Sequence, residues 1–180
     1  MDWLEEVQGK LKRRNQVLFS KDSPLFQGLR LQMEHQTRRG LVLWALDLAE
    51  ETVRELEDRY PGEDRPRQAL EAARLWSAGK VKMPLAQRAI LDCHGLAKEF
   101  QDPVDIARCH AVGQACSVVH TPGHALGYPI YELTALVRKW GVEGCRQPVE
   151  ERVQHYVDRL LFWQEHLPAY QGEWADFLCR

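Results

Sequence analysis

The stretch HAVGQACSVVHTPGHALG, from His110 to Gly127, decides how this chain folds. Three of the seven histidines fall here, at His110, His120 and His124, and Cys109 and Cys116 sit at its start. No Lys, Arg, Asp or Glu occurs between Cys109 and Tyr131. A helix with no charged face belongs inside a protein, so the segment is expected to run through the middle of the molecule. Its small residues (Ala111, Gly113, Ala115 and Ser117, then Gly123, Ala125 and Gly127) let neighbouring backbones approach closely.

Pro122 divides the stretch. A proline ring inside a helix would clash with the carbonyl of Val118, and it pushes Thr121 out of the helical region. Thr121 therefore reads as an N-cap with Pro122 at the first helical position. On this reading His120 closes one helix and His124 lies in the first turn of the next. His120 and His124 are four residues apart, the spacing by which one continuous helix presents two imidazoles to zinc. The break removes that geometry, and the glutamate of the zinc-protease motif is absent. Upstream, His110, Gln114, Ser117 and His120 share one stripe of the preceding helix. The plain expectation is a polar cluster of His110, Gln114, His120 and His124, satisfied by hydrogen bonds at a helix junction. The sharper alternatives are a metal held by His120 and His124 with His110 or His94, or a small molecule bound near Thr121-Pro122.

Working outward, every segment carries helical periodicity and none alternates like a strand. Asp2 caps a first helix expected to reach about Phe19. Ser23 and Pro24 open a second through about Gln36, and both are polar around most of their circumference. Leu41, Ala45, Leu48, Ala49, Val53 and Leu56 mark a helix from Thr37 to Tyr60, which Pro61-Gly62 ends. Asp64 precedes a helix ending near Ser77, Pro84 opens another, and Asp102-Pro103 opens the one that leads into His110. A helix from Pro122 to Trp140 and one from about Val149 to Pro168 follow, leaving a tail whose Trp174, Phe177 and Leu178 are suited to docking. The expected fold is all-α: a single-domain antiparallel bundle of about seven to nine helices around a central small-residue helix, about 103–120. Residues 1–36 read as an N-terminal helical extension and residues 37–180 as the main helical domain, together one compact unit.

The second dense motif is DRPRQALEAARLW, with Asp64, Arg65, Arg67, Glu71 and Arg74. Arg67 and Glu71 are four apart, and Glu71 and Arg74 three apart, so a solvated face with intrahelical ion pairs is the simpler reading. The alternative is that the arginines buttress a carboxylate on a neighbouring helix or face a partner. Asp47 is read as exposed. Ser117 and Cys116 lie within a turn of His120, but a nucleophilic thiol needs an exposed, electropositive setting, which this segment lacks.

Composition narrows the function classes. The 180 residues are 44% hydrophobic and 28% charged, with a formal net charge of −2. That balance argues against a nucleic-acid footprint or a polybasic membrane surface, and no apolar run is long enough to span a bilayer. The opening MDWLEEVQGKLKRR lacks the apolar core of a secretory signal. Five cysteines without CxxC spacing point to reduced thiols and a cytoplasmic location. No cofactor is expected.

Three segments taken together, LVLWALDLAEETVRELED, DRPRQALEAARLWSAGK and CHAVGQACSVVHTPGHALGYPIYELTAL, resemble a family of small bacterial all-helical proteins. That family is described as immunity proteins of polymorphic-toxin systems, and the resemblance covers about residues 39–141. It implies a cytoplasmic, non-enzymatic protein that binds and neutralises a cognate toxin. Against it stand a metal-dependent helical-bundle protein or enzyme using the histidines, and a small-molecule-binding protein.

Overall fold

A computed structural model describes residues 2–180. Among them are eight α-helices and no strand: α1 (Trp3–Lys12), α2 (Gln27–Glu34), α3 (Arg38–Arg59), α4 (Arg65–Ser77), α5 (Met83–Leu96), α6 (Pro103–Ser117), α7 (Gly127–Gly144) and α8 (Arg146–His166). The all-α bundle and its helix number agree with the sequence pattern. Helix starts follow local chemistry. Asp102 accepts from the Val104 amide at 2.9 Å, and Pro103 takes the first helical position, where its missing N–H costs nothing. Thr37 caps α3 by accepting from Gly40 N at 3.0 Å.

α6 is the centre, packed against α3, α4, α5 and α7. Its small side chains permit this: Ala111, Val112, Ala115 and Cys116 have no exposed surface. Trp44 of α3, Tyr128 of α7 and Tyr156 of α8 are the largest wholly buried side chains. The indole of Trp44 donates to the Tyr156 carbonyl at 2.9 Å, satisfying the one polar atom that ring carries.

Three expectations about elements need correction. First, α1 stops at Lys12 instead of Phe19. Asn15 N reaches Lys10 O and Arg14 N reaches Leu11 O, a Schellman closure with Arg14 in the left-handed region at φ 57°. The chain beyond is extended, and Leu18 and Phe19 enter the core, with Leu18 N donating to Thr134 Oγ1 of α7 at 3.0 Å. The polar circumference of the first two helices concealed this: Trp3, Val7, Phe26 and Leu29 are buried in the common core. Second, the expected helix from Pro24 to Gln36 is a 3-10 turn, Pro24–Phe26, followed by the shorter α2, and Ser23 makes no side-chain cap bond.

Third, the corner after α6 is longer than two abutting helices. α6 ends at Ser117, a 3-10 turn spans Pro122–His124, and α7 begins only at Gly127. Thr121 is extended, as Pro122 demands, but its side chain caps nothing; its carbonyl accepts from His124 N at 3.0 Å. His124 therefore precedes the helix it was expected to open. Burial also ends earlier than the apolar composition suggested: Val118 and Val119 are inside, whereas residues 120–123 are exposed.

At the far end, Gly141 adopts φ 71° and breaks α7 just after Trp140. The tail docks as expected. Ala175 N donates to Ser77 O at 2.7 Å, and the Phe177 ring lies 6.1 Å from that of Trp76.

Candidate functional site

The candidate site is the corner between α6 and α7, together with the helices that face it. Ser117 ends α6 with its hydroxyl donating back to the Gly113 carbonyl at 2.8 Å. The next carbonyls, of Val119 and His120, would be orphans at a helix end. Arg38, from the first turn of α3, donates to them through Nη2 at 3.4 and 2.5 Å. This tie sets the position of His120, whose ring stacks on Trp76 with planes 16° apart and centroids at 5.8 Å. His120 Nδ1 meets Thr121 Oγ1 at 3.0 Å.

His124 Nδ1 donates to Gln114 Oε1 at 2.8 Å. An amide oxygen only accepts, so in the neutral ring Nε2 is left as a lone-pair acceptor. Gly127 makes the contact possible, since a Cβ there would lie 2.2 Å from Gln114 Oε1. Gly113 does the same for His94 of α5, whose Nε2 would lie 2.2 Å from an added Cβ. His94 Nδ1 faces His110 Nδ1 at 2.8 Å, so one ring donates and the other accepts. Burial pushes the His94 imidazole down to about 4, with His110 and His124 adding to the shift; burial lowers His110 as well.

Of the four residues expected to form one polar cluster, Gln114 and His124 are joined directly. His110 is not joined to His120: it pairs with His94 and lies beside Tyr131, the ring centroids 5.2 Å apart and the planes tilted by 41°. His94, His120 and His124 instead line one cavity of about 420 Å³, walled by Trp76, Ile90 and Leu91. The shared stripe on α6 missed this because His94 arrives from another helix. Among the described residues no three His, Cys, Asp or Glu side chains are grouped to hold a metal ion. The Ser117 hydroxyl and the Cys116 thiol, within a turn of His120, are both engaged or buried. Ser117 has its hydrogen committed to Gly113, and burial pushes the Cys116 thiol up to about 12.

The Asp64–Arg74 motif does more than dress a solvated face. Arg67 grips Glu50 of α3 with two bonds, of 2.8 and 2.9 Å, and holds Glu57 at 2.7 Å. Arg74 meets the same Glu50 at 2.8 Å. Its intrahelical bond to Glu71 is also 2.8 Å, but the Arg67–Glu71 pair is looser, at 3.7 Å. Arg67 first, with Arg74, holds the Glu50 carboxyl down to about 2 against the opposing effect of burial. Arg65 pairs with Glu63 at 2.7 Å and with Glu99, while Asp64 accepts from Gln68 at 2.7 Å. The motif thus ties α4 to α3, the buttressing alternative. Asp47, expected to be simply exposed, accepts from Arg159 at 2.7 Å and from the Trp163 indole at 3.1 Å.

One polar network escaped sequence reasoning altogether. Glu132 of α7 is 7% exposed and holds Arg152 of α8 at 2.7 Å. Tyr156 donates its hydroxyl to Glu132, and Tyr128 bonds Thr52, Arg152 and the Leu48 carbonyl at 2.9–3.2 Å. Glu51 closes the set, accepting from Arg152 at 2.6 Å beside His155 at 2.8 Å. Burial, and then the Glu132 charge, raise both tyrosine hydroxyls well above their usual range. The one signal was a glutamate in the otherwise apolar run YPIYELTALV.

No helix among the described residues is long and apolar enough to cross a membrane. A protein-family model described as Imm-5 like putative immunity protein matches residues 31–159, from α2 into α8. No curated protein and no solved structure matches the chain. The match takes in α6, the imidazole corner and both charged networks, and the chain belongs to this immunity-protein family.

Proposed function

We propose that this chain is an immunity protein that binds a toxin in the bacterial cytoplasm and neutralises it by covering its working surface. The reading is carried by the family match over residues 31–159, which takes in α3 to α7 with α6 at their centre. Four of the five thiols, of Cys93, Cys109, Cys116 and Cys145, are buried, and the fifth, Cys179, is exposed in the tail. Occlusion needs a rigid surface of matching shape and charge and no reacting group.

The test is to identify a toxin-like protein encoded near this chain and to co-express the two. Growth arrest by that protein alone, relieved when this chain is present, together with co-elution of the two as one complex, is the expected result. Growth arrest that persists while both proteins remain soluble sinks the reading.

A further inference from the structure

A second cavity adjoins the imidazole cavity. The neighbour, of about 510 Å³, shares Trp76, Met83 and His120 with it and adds Arg38, Lys82 and Phe177. Together they form one groove across the ends of α4 and α5, the corner and the docked tail. Its two ends differ in chemistry. At the first, Met83, Gln87 and Leu91 recur every fourth residue along α5 and form an outer lip above Ile90. Leu91 is 60% and Met83 42% exposed, high for apolar side chains beside a concave surface. The imidazoles facing that lip carry no carboxylate partner.

The second end is basic. No Asp or Glu lines either cavity, and the charged side chains that do are Arg38 and Lys82. The arginines around Glu50 and Glu132, by contrast, are met by carboxylates. Among the described residues no ion pair uses Arg38 or Lys82. Arg38 Nε is buried without a hydrogen-bond partner, its guanidinium lying 5.3 Å over the Phe177 ring. A fixed guanidinium on an aromatic face beside a free ammonium favours a carboxylate. The apolar lip favours aliphatic side chains.

We propose that this groove receives an extended segment of the partner protein, one that sets an acidic side chain between Arg38 and Lys82 and aliphatic side chains against Leu91 and Ile90. The proposal rests on the immunity reading only for the partner's identity; the chemistry of the segment comes from the groove.

A titration that needs no toxin tests it. N-acetyl-Asp-Leu-Leu-amide and N-acetyl-Lys-Leu-Leu-amide are added separately to the isotope-labelled full chain, to about 10 mM, where millimolar binding is visible. The acidic peptide is expected to shift the Trp76 indole and Met83 methyl signals, and the basic one to leave them unmoved. Lys82→Glu weakens the acidic peptide about fivefold, the scale of one exposed ion pair, and narrows its advantage over the basic one. Leu91→Glu weakens it as well, whereas Leu161→Glu, on α8, has no effect. Equal shifts from both peptides, no shift at all, or shifts centred elsewhere overturn the proposal. Acetate reproducing the full response reassigns the groove to small carboxylates, and self-association abolished by Leu91→Glu reassigns it to a second copy; either outcome overturns it too. Failure of growth rescue with normal peptide binding removes the immunity reading and leaves the groove standing.

Discussion

The Glu132–Arg152 network and the imidazole corner are both polar clusters in one small bundle, and they are finished differently. In the first, the buried carboxylate, guanidinium, phenols and Thr52 hydroxyl bond one another or a backbone carbonyl. It joins α3, α7 and α8 in one rotational setting. In the second, each of His94, His120 and His124 is bonded through Nδ1, and among the described residues none is bonded through Nε2. Of those rings His94 has its Nε2 packed against Gly113, while His120 and His124 line the cavity with Nε2 uncommitted. A closed network specifies the fold, while a half-committed one has bonding capacity left for something outside the chain.

The largest blow to this contrast is Glu132→Ala. It strands the Arg152 charge in the interior with Glu51 as its remaining carboxylate, and breaking such a pair costs about 3–5 kcal/mol. Urea unfolding measures it, and the lower end is expected because Glu51 stays. A loss under about 1 kcal/mol would place the network with ordinary surface pairs.

An intermediate effect comes from pH acting on the corner. Unfolded imidazoles titrate near about 6.5, whereas burial holds His94 down to about 4 and lowers His110. Between those values the unfolded chain binds more protons, so stability rises with pH across the window. It is fully present above the unfolded value and is lost as pH falls toward about 4. The melting temperature should drop a few degrees between pH 7 and pH 5, and His94→Asn should flatten that slope. An unchanged melting temperature over the same range in the native chain contradicts the assignment.

The smallest effect sharpens the contrast from the other side. Leu91→Glu sits on the exposed lip of the groove, so unfolding free energy should change by no more than about 0.5 kcal/mol. A larger loss would make the lip part of the core.

Much of the frame was legible because helix starts are local. Asp102-Pro103, Thr37 and Pro84 announce them within a few residues, and the proline at 122 breaks the chain where its ring chemistry demands. The corner's length was less legible, because Thr121 had to choose between capping a helix and bonding His120, and both are open to a threonine. The Arg67 and Arg74 contacts with Glu50 depend on how α4 is rotated against α3, which spacing along one helix does not specify. The meeting of His94 with His110 has the same origin. Glu132 was hidden for another reason: its partner Arg152 lies on the following helix, and a lone glutamate in an apolar run looks like a solvent-facing stripe until both helices are placed.

The docked tail gives the groove a mechanical asymmetry. Its floor and one wall are long helices of the core, but Phe177 and Ala175 come from a segment of short 3-10 turns. That segment is held by the Ala175–Ser77 backbone bond, the ring contact with Trp76, Arg38 and Arg39 over Phe177 and Trp174, the buried Leu178, and Lys80 meeting Glu173 at the surface. Local opening free energy scales with such holdings, so this wall exchanges its amide hydrogens sooner than α4 or α6 beneath it. The basic end of the groove is thus walled on one side by a segment whose expected earlier exchange sets it apart from the core helices that form the rest of the bundle.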